Sequence, residues 1–127
     1  MNAFRAAVEA RRFDTIGGIF AEDVVLHSPV AHRPYRGREM VAAIVGAVAR
    51  VLEGFRFENE IGDQETGGSR ALMFMATVSD LEIQGCDFVH TRDDGLIDEI
   101  TVMLRPLKAT AVFAERMREE FEKALQQ

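Results

Sequence analysis

The feature that most constrains this chain is a change of hydrophobic period at Gly54. Upstream, Val41, Ile44, Val45, Val48 and Leu52 recur at the i, i+3, i+4, i+7 spacing, which gathers them on one stripe of a helix. Gly37, Arg38 and Glu39 open that helix, and Gly54 is expected to end it. Downstream, Phe55, Phe57, Asn59 and Ile61 alternate with Arg56, Glu58 and Glu60, as in a strand wet on one face and lying toward a sheet edge. Three more strand-like runs follow at Arg70 to Val78, Leu81 to Arg92 and Leu96 to Leu104. The turns between them, Thr66-Gly67-Gly68-Ser69, Ser79-Asp80 and Asp93-Asp94-Gly95, are short. Short turns join only antiparallel neighbours, so the second half of the chain is a four-stranded meander.

The ends of the chain supply helices. Phe4, Val8, Ile16, Ile19 and Phe20 recur at roughly helical spacing, with a break at Arg11, Arg12 and Phe13 and with Asp14 as the expected cap of a second short helix. Val24 to Ser28 reads as a strand that runs into Pro29 and Pro34. Pro106 begins a terminal helix whose apolar stripe is Thr110, Ala114, Met117, Phe121 and Leu125. The predicted class is α+β: N-terminal helices packed on a curved antiparallel sheet, with an extra C-terminal helix. In the run from Arg70 to Val78, Leu72, Phe74, Ala76 and Val78 share one face, and Met73, Met75 and Thr77 share the other. Both faces are largely apolar, and so few helices cover only one of them. The sequence therefore predicts a homodimer packed through the outer sheet face.

With 127 residues and no internal repeat or linker, residues 1–127 are read as one domain. Acidic residues number 21 against 15 Lys plus Arg, and the net charge of −6 argues against nucleic acid and anionic membranes as partners. No apolar run approaches the roughly 18 residues of a membrane span, and no signal peptide is apparent at Met1, so the expected compartment is the cytoplasm. Cys86, the single cysteine, sits in a strand-like run and reads as a small buried hydrophobe. His27, His32 and His90 lack metal-ligand spacing, and Gly67-Gly68 opens no helix, so neither a metal nor a cofactor is expected.

Potential chemistry concentrates in two places. From Val24 to Arg38 an apolar strand runs into His27, Ser28, His32 and Tyr35, a stretch that reads as a pocket rim. Strand alternation sets Ser28 beside Leu26 and His27 beside Val25 on the opposite face. Tyr35, after Pro34, is placed to cap a pocket with its ring, and His32 lies on the loop near its mouth. The second place is Asp87, which alternation puts with Val89 and Thr91, opposite His90. A carboxyl group on a covered face would have its pKa raised by desolvation and could serve as a donor or a base near neutral pH.

Several short motifs, in this order, carry a family resemblance. Phe13-Asp14, Ile19 to Val24, His27-Ser28-Pro29 and Tyr35-Arg36-Gly37-Arg38-Glu39 resemble the front half of SnoaL-like proteins of the nuclear transport factor 2-like superfamily. Gly85-Cys86-Asp87-Phe88, Asp93 to Ile97 and Glu99-Ile100 resemble the back half. The resemblance implies a cystatin-like cone with an apolar pocket between helices and sheet, whose wall includes Phe57, Ile100, Val102 and Leu104. Ketosteroid isomerases share this fold and use a carboxylate base, a tyrosine and a protonated aspartic acid. Matched by motif, those positions are Ser28, Phe4 and Asp87, so only the last keeps its chemistry. Limonene-epoxide hydrolases need a second carboxylate, which is not evident beside Asp87. Three readings follow: binding of a small apolar molecule; acid/base catalysis of the cyclase, isomerase or dehydratase type through Asp87; and a dimerisation module without a ligand.

Overall fold

A computed structural model describes residues 3–62 and 68–125, without the side chains of the last two. Helix α1 spans Ala3–Glu9, and a 3-10 turn follows at Ile16–Ile19. Strands β1 (Phe20–His27) and β2 (Tyr35–Arg36) precede helix α2 (Arg38–Val51). The meander is β3 (Glu53–Gly62), β4 (Gly68–Val78), β5 (Leu81–Thr91) and β6 (Ile97–Arg105), and helix α3 (Leu107–Leu125) closes the chain. The six strands form one sheet in the order β2-β1-β6-β5-β4-β3.

The period change at Gly54 marks the architecture as expected, but four details differ. β1 lies parallel to β6, so the sheet is mixed, with an antiparallel meander at its heart. The residues Phe20 to Asp23 belong to β1, because Phe20, Ala21 and Val24 are all buried in the sheet and only their spacing imitates a helix. Thr15, not Asp14, precedes the 3-10 turn, and no side chain caps it. Gly54 lies inside β3 with φ 60°, next to a register shift between Glu53 and Arg56, so it bends an edge strand and α2 has already ended at Leu52. Thr66 and Gly67 of the first predicted turn, and the side chain of Leu125, lie outside the described residues.

Two turns set the register of the meander. Ser79 and Asp80 both adopt positive φ, 47° and 69°, the geometry whose twist suits a two-residue hairpin between Val78 and Leu81. At the other hairpin, the Asp94 carboxylate accepts the Leu96 backbone N–H at 3.0 Å and pairs with Arg92. The inner face of the sheet then carries Leu72, Phe74, Ile83, Val89 and Ile100, all buried. Helix α2 lays Val41, Ile44, Ala47 and Val51 on it, and α3 adds Ala109, Phe113 and Met117. Each larger aliphatic or aromatic side chain so covered is worth about 1.5–3 kcal/mol of transfer free energy. Arg50 of α2 binds Glu120 of α3 at 2.7 Å, and Arg116 reaches the Ser79 hydroxyl at 3.1 Å. These contacts fix α3 across the helical layer. Among the described residues no helix is long and apolar enough to cross a membrane.

Candidate functional site

The helices do not fill the cone. Between them and the sheet lies a cavity of about 300 Å³, with α1, α2 and α3 above and the inner sheet face below. Helix α2 contributes Ile44, Val45 and Val48, α3 contributes Phe113 and Met117, and the sheet contributes Leu26, Phe74, Val102 and Leu104. Gly85 makes room at the floor. A Cβ there would stand 2.1 Å from Cζ of Phe74, whose ring lies over the glycine and stacks on Phe55 at 4.6 Å between centroids.

Asp87 opens into this apolar space. It follows Gly85 on the same face of β5, and its cross-strand neighbours are Leu72 and Val102. Among the described residues it is the one buried polar or charged side chain, 7% exposed, and its carboxyl group has no hydrogen-bond partner. Burial alone pushes its pKa up to about 7, because removal from water penalises the carboxylate and nothing nearby compensates it. The group is thus divided between acid and carboxylate at neutral pH. As an acid it donates one hydrogen bond; as a carboxylate it accepts a proton.

The other predicted residues separate into two sets. Ser28, Ile100, Val102 and Leu104 lie on the cavity wall with Asp87. Ser28 Oγ accepts the Val30 backbone N–H at 3.3 Å, a local turn that holds the end of β1. Phe4 is also on the wall, so the three positions matched to the isomerase site converge here as Phe4, Ser28 and Asp87.

His27, His32, Tyr35 and Phe57 are corrections, because none of them lines the cavity. Alternation turns His27 to the outer face, where Nε2 lies 2.9 Å from Glu99 Oε2. His32 is exposed on the loop before β2. Tyr35 is half-buried, with its ring 6.5 Å from that of Phe121, and so packs β2 against α3. Phe57 is buried behind the cavity, edge-on to Phe55, and carries the Arg5 guanidinium over its ring. On β3 it is Phe55 that reaches the cavity.

The sequence reading missed the rim. Glu9 at the end of α1, Arg11 and Phe13 after it, and Arg56 on β3 all line the opening. Phe13 was legible only as an apolar residue in a break; the charged residues carried no periodic signal. Cys86 is half-buried on the outer face, where desolvation and then the neighbouring Asp87 charge raise its pKa, which disfavours a thiolate. His90 Nδ1 lies 2.6 Å from Asp98 Oδ1, also away from the cavity. Among the described residues no three His, Cys, Asp or Glu side chains come together as a metal site.

A cone of this kind, with helices over a curved sheet and a pocket between, defines the cystatin-like or nuclear transport factor 2-like class. The chain belongs to the SnoaL-like domain family, which matches residues 1–100. Among solved structures it is similar to a steroid delta-isomerase from Pseudomonas aeruginosa, with 29% identity and a TM-score of 0.91 over 98% of this chain and 90% of that one. It is also similar to an uncharacterized protein with a cystatin-like fold from Silicibacter pomeroyi DSS-3, at 29% identity and a TM-score of 0.85 over 91% and 80%. A de novo designed protein with a curved β-sheet shares the fold alone, at 13% identity and a TM-score of 0.67 over 94% and 98%. No curated protein matches the chain in sequence.

Proposed function

We propose that this chain binds a small, largely apolar molecule in the cone, with a hydroxyl or carbonyl oxygen of the ligand against Asp87. The observation that carries the reading is the carboxyl group of Asp87, set without a protein hydrogen-bond partner among the apolar side chains of the inner cavity wall. The carboxyl oxygens face the cavity and take no hydrogen bond from the protein, so a ligand oxygen can meet them; such a hydrogen bond is worth about 0.5–1.5 kcal/mol net. At about 300 Å³ the space stands at the lower end of small-molecule sites, so the ligand is compact. Calorimetric titration with a panel of small ketones, phenols and alcohols tests it. The reading expects saturable binding that weakens several-fold when Asp87→Leu removes the polar group. A panel that produces no saturable binding overturns it.

The near-neutral pKa favours a second reading, in which Asp87 moves a proton on the bound molecule. The similarity to a steroid delta-isomerase points the same way. Ser28 and Phe4 supply neither a second base nor an oxyanion donor of the isomerase kind, so any such turnover rests on Asp87. Once a bound carbonyl compound is in hand, exchange of its α-hydrogens in deuterated water reads the step. Exchange that persists in Asp87→Asn excludes it.

We also propose that two copies associate through the outer sheet face. Phe88 and Met103 are exposed there, 41% and 57%, beside Met73 and Cys86. On β6 the outward residues run from Glu99 through Thr101 and Met103 to Arg105. A two-fold axis near the middle of that strand would set Arg105 of each copy against Glu99 of the other, which makes the face self-complementary.

A further inference from the structure

The charges at the cavity opening are unevenly satisfied. Glu9 is held by Arg5 at 3.3 Å, and Arg56 pairs with Glu58 at 3.1 Å. Arg11, exposed on the same rim, has no carboxylate partner among the described residues. Its backbone adopts φ 54°, an uncommon conformation for a residue other than glycine, and its N–H bonds to the Val8 carbonyl at 3.0 Å. Its guanidinium stacks over Phe13, 5.3 Å from the ring centroid, and Phe13 itself lines the cavity. The cation is therefore seated on the apolar wall of the opening, with donors left over.

We propose that the bound molecule is an amphipathic acid, whose apolar body fills the cone and whose carboxylate meets Arg11 at the opening. This rests on the binding reading above and adds the chemical class of the ligand. A guanidinium matches a carboxylate with two parallel N–H donors, and stacking on Phe13 limits the freedom lost on binding. Inside the cone, the protonated form of Asp87 suits such a ligand better than the carboxylate, which would repel its charge. Acid binding should therefore weaken as pH rises through neutrality, more steeply than binding of a neutral analogue.

Calorimetry with 4-(4-hydroxyphenyl)butyrate and 4-(4-hydroxyphenyl)butan-1-ol, whose phenol oxygen can reach Asp87, at about pH 6, where Asp87 is mostly protonated, tests the proposal. The wild-type protein should bind the acid roughly tenfold more tightly than the alcohol, as expected for a hydrogen bond between charged groups. Arg11→Asn removes the cation while tolerating the left-handed backbone, and should bring the two affinities together by weakening the acid several-fold more than the alcohol. A circular dichroism spectrum and melting temperature like those of wild type establish that the variant is folded, and Arg11→Gly serves if they differ. Equal affinities in the wild type, or a preference that survives Arg11→Asn, overturn the proposal. If neither probe binds but neutral ketones do, this proposal fails and the binding reading stands. If nothing binds, both fail.

Discussion

At the scale of single residues, the burial of Asp87 makes a prediction about stability. Its pKa rises from 3.8 to about 7 on folding. Between those values the folded state holds a proton that the unfolded state has released, so stability falls as pH rises through this window. A shift of about 3 units corresponds to a penalty on the order of 4 kcal/mol once pH exceeds 7. Asp87→Asn removes the ionisation and keeps the shape. Chemical denaturation should show the variant more stable than wild type at pH 8 and close to it at pH 4. Equal stabilities at both would mean that the carboxyl group is solvated. His27, by contrast, invites attention by residue type, yet its partner is Glu99 on the outer face.

At the scale of elements, β5 positions the site, and Gly85 is the position where it is most vulnerable. The Phe74 ring occupies the space of a side chain there, so Gly85→Ala must tilt the ring into the cavity or part β4 from β5. Such overpacking costs about 1–3 kcal/mol. Denaturant titration should report a loss of that size, and ligand affinity should fall as the cavity shrinks; unchanged stability would show that the floor is loosely packed. The meander and the register of Asp87 were legible because a period of two and tight turns encode them locally. The face of Ser28 was legible by the same alternation. The parallel contact between β1 and β6 was not, since it joins segments some seventy residues apart and leaves no turn signal. Tyr35 and Phe57 were misplaced because their composition shows that they are covered, without showing by what. The rim residues Glu9, Arg11 and Arg56 come from the last position of α1, the break after it and an irregular edge strand, where pattern has least to say.

At the scale of the whole molecule, helices cover the inner sheet face, and among the described residues none covers the outer one. Sedimentation velocity should find a dimer, and Met103→Glu, which sets like charges against each other across the proposed two-fold axis, should yield a folded monomer. A wild-type monomer at high concentration would refute association through this face. The cone itself fixes no activity, since a designed protein adopts it too, so function is argued from the residues of the site and not from the fold. The central claim is that a compact apolar ligand docks against the Asp87 carboxyl group. Carbon-13 NMR of that carboxyl carbon, followed as a small ketone from the binding panel is added near pH 7, tests the claim most directly. A saturable change in its shift and in its titration midpoint, starting from about 7 in the free protein, is the predicted result. Saturable binding that leaves the Asp87 signal unmoved, or a midpoint near 4 in the free protein, would contradict it.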